Sequence, residues 1–154
     1  MAGLTTVAAA QIQLSGLSAA AQAKRQHVEL LTDSVQVTAG KAQDVELSFR
    51  VEPGFHINSH TPKDELLIPT VLKVDAGQRI RNVSESYPNG TSYRLPIGDG
   101  ETLDVYQGEF RVRVHLVAAR GDSTMTGALR YQACDSASCF PPRTLPVQIA
   151  VSGR

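Results

Sequence analysis

An all-β fold, an antiparallel β-sandwich, is predicted by three features of this sequence. Apolar residues recur at every second position from Val28 onward, the runs that carry the pattern are short, and turn-forming residues separate them at even spacing. No long stretch of 3.6-residue periodicity competes with this pattern.

The strands follow in order. Val45, Leu47, Phe49 and Val51 alternate with Glu46, Ser48 and Arg50, so one face enters a core and the other meets water. Phe110, Val112, Val114 and Leu116 alternate with Arg111, Arg113 and His115 in the same way. Leu129, Tyr131 and Ala133 alternate with Arg130 and Gln132, and Val147, Ile149 and Val151 close the series. The breaks fall at Glu52-Pro53-Gly54, Asp75-Ala76-Gly77, Pro88-Asn89-Gly90, Gly98-Asp99-Gly100 and Gly121-Asp122. The stretch SYPNGTSYRLPIGDG, residues 86–100, reads as a long polar and aromatic loop between strands. Loops of this length in compact domains are often functional, although its composition also suits ordinary surface.

A chain of 154 residues builds one core; halves of that length would bury too little surface. Fifteen basic residues balance fifteen acidic ones with no run of either sign, which argues against nucleic acid as a partner. No segment approaches the ~20 apolar residues of a membrane span. The Ala-rich start, residues 1–26, is expected to lie outside the fold as a disordered tail or the remnant of an export signal. Ala21-Gln22-Ala23 has the small-x-small form of a signal-peptidase site, but no basic region precedes it. Residues 27–154 are then the domain.

Both cysteines lie in YQACDSASCFPP, residues 131–142. Five steps of extended chain cover about 17 Å, whereas a disulfide needs Cα atoms roughly 4.4–6.8 Å apart, so bonding would require a reversal at Asp135-Ser136-Ala137-Ser138. Small polar residues suit that turn. Pro141 and Pro142 cannot donate to a ladder and place the segment at a sheet edge. Three readings stand. As a staple, a loop of about six residues would contribute roughly 2 kcal/mol and could not tie two sheets together. As a redox pair, the edge position makes the sulfurs accessible. As a metal site, Cys134 and Cys139 would combine with His56 and His60, whose spacing can put both imidazoles on one strand face.

The element YQACDSASCFPP, with PGFHINSHTPKDELLIPT and LDVYQGEF before it, resembles the N-terminal periplasmic domain of the DsbD thiol:disulfide interchange family. The likeness runs from about Val28 to Val151. It implies an immunoglobulin-like sandwich in the periplasm that accepts electrons from a thioredoxin-like donor. The acceptors would be periplasmic thiol proteins such as a disulfide isomerase or cytochrome c maturation factors. It further implies that Cys134 and Cys139 are the redox pair, that Cys139 forms mixed disulfides and that Cys134 resolves them. No cofactor is required. A cap loop should shield the pair, with Glu85, Ser86, Tyr87, Pro88, Asn89 and Gly90 as its equivalent. The enterobacterial form has five residues between the cysteines where this chain has four, and His56 and Asn58 stand where that form has aromatic residues.

Within this reading Asp135 should disfavour a thiolate at its neighbour Cys134, leaving the reduced pair a slow nucleophile that reacts inside a docked complex. Tyr131, Phe140 and Pro141 would supply apolar docking surface, although the parity of Tyr131 also puts it with the core residues.

Overall fold

The computed structural model describes residues 26–75, 77–96 and 98–154. Among these, strands run in the order β1 (Val28–Leu30), β2 (Ser34–Val37), β3 (Ala42–Val51), β4 (His56–Asn58), β5 (Val71–Asp75), β6 (Ile80–Ser86), β7 (Thr91–Arg94), β8 (Thr102–Tyr106), β9 (Glu109–Ala118), β10 (Gly121–Tyr131), β11 (Ala133–Cys134) and β12 (Arg143–Gly153). Among the described residues no helix is long and apolar enough to cross a membrane.

The strands form an immunoglobulin-like sandwich. One sheet has the order β1-β3-β9-β6 and the other β2-β12-β10-β5. Their inner faces are the alternating residues of the sequence pattern. Leu47, Phe49 and Val51 of β3 and Val112, Val114 and Leu116 of β9 share one buried cluster with Leu129 and Tyr131 of β10 and Val147, Ile149 and Val151 of β12. Each such side chain contributes on the order of 1.5–3 kcal/mol by leaving water, which is why the alternation fixes the pairing register. The outer positions of β3 and β9 are charged, and the ladder sets them opposite one another as Glu46 with Arg113 and Asp44 with His115. Exposed pairs of this kind add little stability. One pairing departs from the antiparallel expectation: β2 runs parallel to the end of β12, from Ser34 opposite Ala150 to Val37 opposite Gly153.

A third, smaller sheet has the order β11-β4-β8-β7. It corrects the reading of residues 86–100 as loop. Thr91–Arg94 is strand β7, pairing with β8 from Thr91 opposite Val105 to Arg94 opposite Thr102. The alternation there is masked because Tyr93 is the one half-buried residue among exposed Thr91, Ser92 and Arg94. The expected break at Pro53-Gly54 is present, with Gly54 at a φ of 86° that a side chain would disfavour. The expectation of an unstructured start falls on residues outside those described, apart from Gln26, whose side-chain oxygen accepts the Tyr131 hydroxyl.

Candidate functional site

The cysteine hairpin sits where two sheets exchange a strand. β10 pairs with β12 through Tyr131 opposite Arg143, after which the chain leaves that ladder and β11 joins the small sheet, with Ala133 opposite Ile57 and Cys134 opposite His56. The chain then reverses. Asp135 Oδ1 accepts the backbone N–H groups of Ala137 at 2.8 Å and Ser138 at 2.7 Å, and the Asp135 N–H donates to the Ser138 carbonyl at 2.9 Å. This is an Asx-type turn, the reason a four-residue Asp-Ser-Ala-Ser linker closes so tightly. The return strand is tied by the Phe140 N–H to the Ala133 carbonyl at 2.8 Å and by Gln132 Nε2 to the Phe140 carbonyl at 3.2 Å.

Cys134 and Cys139 are joined in a disulfide and lie opposite each other in a β-bridge, with Cα atoms 4.0 Å apart. The two sulfurs have unlike surroundings. Cys134 is only 3% exposed, whereas Cys139, on the outer side of the hairpin, is exposed. Side chains of residues opposite one another in an antiparallel sheet share a face, so His56, Cys134 and Cys139 form a row from the interior outward.

His56 is 1% exposed, and its Nε2 has no hydrogen-bond partner. The Tyr93 ring packs against the imidazole at a tilt of 32°, with centroids 4.2 Å apart. Burial pushes the His56 imidazole below its ordinary pKa, and the Asp135 carboxylate partly opposes that shift. Asp135 is itself held below the usual carboxylate range by the N–H groups of Ala137 and then Ser138, and further by His56, so a negative charge stays beside Cys134. Phe140 joins His27 and Phe55 in an aromatic cluster on the exit side of the hairpin, with His27 stacked on Phe55 at 3.9 Å and Phe140 at 5.2 Å from His27.

The structure therefore brings together His56, Cys134, Asp135, Cys139 and Phe140. It takes the other expected residues elsewhere. Asn58 is buried with its Nδ2 on the Ile68 carbonyl at 2.9 Å, holding the segment that leads into β5. Tyr87 lies flat on His60, and its hydroxyl accepts from the Leu72 N–H at 2.9 Å and donates to the Leu72 carbonyl at 3.1 Å. Glu85 accepts from the Val74 N–H, and the Pro88 carbonyl accepts from the Tyr106 hydroxyl. The segment from Glu85 to Pro88 is thus fastened to β5 and β8. His60 is occupied by the Thr70 carbonyl, 2.9 Å from its Nδ1, and the two sulfurs are bonded to each other, so the four-ligand metal set is not assembled. The aromatic over the row is Tyr93, which the sequence reading passed over. Its one signal was an aromatic set among the polar residues of a segment read as loop.

An all-β domain with a short disulfide hairpin at a sheet edge, one sulfur outward and one inward, defines a class of thiol–disulfide interchange modules. The chain belongs to the DsbD N-terminal family: the family model for the N-terminal part of the thiol:disulfide interchange protein DsbD matches residues 27–150. No curated protein matches the chain. Among solved structures it is similar to the reduced N-terminal domain of DsbD from Neisseria meningitidis (22% identity, 75% of this chain and 82% of that one, TM-score 0.47). It is also similar to the complex of the DsbD and PilB N-terminal domains from the same organism (20%, 68% and 73%, TM-score 0.45). The N-terminal periplasmic domain of ScsB from Proteus mirabilis matches at 11% identity over 79% of this chain and 44% of that one, with TM-score 0.54, a likeness of fold.

Proposed function

We propose that the domain is the exchange module of a protein-disulfide reductase, working in the periplasm. It relays electrons from a thioredoxin-like protein or domain to extracytoplasmic thiol proteins through Cys134 and Cys139. Disulfide isomerases and cytochrome c maturation proteins are the acceptor classes. Family membership supports the chemistry, and one observation supports the division of labour: Cys139 is exposed while its partner is 3% exposed.

A donor thiolate attacks the accessible Cys139 Sγ, the Cys134–Cys139 bond breaks, and Cys134 leaves as a thiolate that takes up a proton. The second donor thiol then attacks the mixed disulfide and releases Cys139, so the donor leaves oxidised and the pair reduced. Delivery runs the other way. Cys139 as thiolate attacks an acceptor disulfide and expels one acceptor thiol; Cys134 then attacks Cys139, expels the second thiol and restores the intramolecular bond. Two electrons and two protons pass in each direction. Asp135 keeps the Cys134 thiolate scarce, and the Phe140, His27 and Phe55 cluster offers a docking surface beside the attacked sulfur.

The test is a redox equilibrium. Oxidised protein should show no free thiol, and a thioredoxin-poised buffer should free two in the folded protein, with a potential well above the roughly −300 mV limit of structural disulfides. A bridge that opens only on unfolding would leave a stapled binding module instead.

A further inference from the structure

We propose that His56 is the proton acceptor for Cys134: its neutral imidazole takes the thiol proton as Cys134 attacks Cys139 in the mixed disulfide, and returns it when Cys134 is the leaving group. The assignment rests on the exchange reading above and adds a residue to it.

Three observations carry it. His56 stands opposite Cys134 in the β4–β11 ladder, on the same face, where cross-strand Cβ atoms lie about 4.5–5.5 Å apart. Its Nε2 is buried and without a partner. A buried ring nitrogen left unpaired is costly, and such an atom in a native fold calls for an explanation. The disulfide state supplies one. Cys134 has no proton to donate while it is bonded to Cys139, and it gains an S–H only on reduction. The vacant acceptor in the oxidised protein is therefore the position a reduced Cys134 would fill.

The surroundings set the direction of transfer. The groups that face the ring are the Asp135 carboxylate from the hairpin turn and the Tyr93 ring from β7. Burial outweighs the carboxylate and keeps the imidazole neutral near pH 7, so it enters as a base. Cys134 is the sulfur in need of one. Asp135 raises the energy of its thiolate and burial keeps water away, whereas Cys139 is exposed to solvent. The step balances without any further reagent: the S–H bond of Cys134 breaks, N–H forms on His56, S–S forms between Cys134 and Cys139, and the acceptor sulfur departs with the electron pair.

The test uses the reduced full chain and an aromatic disulfide that releases a coloured thiol. The first release reports the mixed disulfide at Cys139 and the second its resolution by Cys134. Against wild type, His56→Gln should slow the second release about tenfold or more at pH 7. The deficit should close to within about twofold near pH 10, where hydroxide removes the thiol proton. Equal rates at pH 7, or a deficit that is the same at every pH, would overturn the assignment. A folded wild type that never gives the second release would remove the exchange reading and this assignment with it, so the two failures are distinguishable. Should His56→Gln not fold, NMR titration of the reduced wild type decides. His56 and Cys134 should titrate as a coupled pair, each inflection visible in the other's resonances, and independent single-step curves would overturn the proposal.

Discussion

Tyr87 lies flat on His60, with ring centroids 3.6 Å apart and planes 2° apart, and its hydroxyl closes on both backbone groups of Leu72. The aromatic of the SYPNG segment therefore ties the end of β6 to β5 and to the segment that follows β4. Tyr87→Phe should lower stability by about 1–3 kcal/mol, because it strands the Leu72 N–H, while leaving exchange rates unchanged. Denaturant unfolding and glutathione disulfide kinetics on one sample would check both; faster exchange without lost stability would return Tyr87 to the role of lid.

Tyr93 lies tilted over His56, with ring centroids 4.2 Å apart. Tyr93→Ala should speed the reaction of the reduced pair with glutathione disulfide several-fold, since an aromatic cover opens only for docked partners. Stability should fall by less than about 2 kcal/mol, because the residue is half-buried at a strand near the sheet edge. An unchanged rate would mean that the ring covers His56 without gating the sulfurs.

The unequal exposure of the two cysteines gives an order of events. Cys134→Ser should trap a mixed disulfide through Cys139 with a thioredoxin-like protein, and Cys139→Ser should trap far less, because the remaining sulfur is buried. Mass spectrometry of the trapped species identifies the sulfur involved. Equal trapping would dissolve the division of roles and leave the redox function standing.

Asp135 combines a turn and a charge, and the two can be separated. Asp135→Asn retains an Oδ1 to accept the Ala137 and Ser138 N–H groups but removes the negative charge beside Cys134. In a Cys139→Ser background, the thiolate absorbance of Cys134 should therefore appear at lower pH in the Asn variant. An identical titration would show that the carboxylate acts through the turn alone.

Stability should depend on pH through His56. Burial depresses its native pKa below the unfolded value near 6.5, so the native state binds fewer protons than the unfolded one as pH falls. The contribution is full above about pH 6.5 and is lost as pH drops toward the native value. Urea unfolding between pH 7.5 and pH 5 should show a decline in wild type that is shallower in His56→Gln. Equal slopes would mean that the imidazole is no harder to protonate in the fold than outside it.

The sandwich was legible because its signal is local and repeated. Val45, Leu47, Phe49 and Val51, or Phe110, Val112, Val114 and Leu116, declare a buried face through the two-residue period of a strand, and each took its predicted place. The small sheet was harder to read. β4 is three residues long and buried on both sides, so His56, Ile57 and Asn58 carry no alternation, and β7 hides its one inward residue among polar neighbours. Asn58 lies in a stretch that resembles the family and Glu85–Pro88 stands as the equivalent of its cap loop; in the structure their hydrogen-bond partners are Ile68, Leu72, Val74 and Tyr106.

By itself the sequence determined the sandwich, the short edge-located cysteine loop and the acid beside Cys134, all of which follow from neighbours within a few positions along the chain. Only the tertiary structure decided which sulfur faces outward, which aromatic lies over the row and which imidazole stands against Cys134. Those depend on β11 leaving the β10–β12 ladder to pair with β4, a contact between residues more than seventy positions apart. Such a pairing is set by the summed burial of both sheets, to which no single residue or spacing along the chain points.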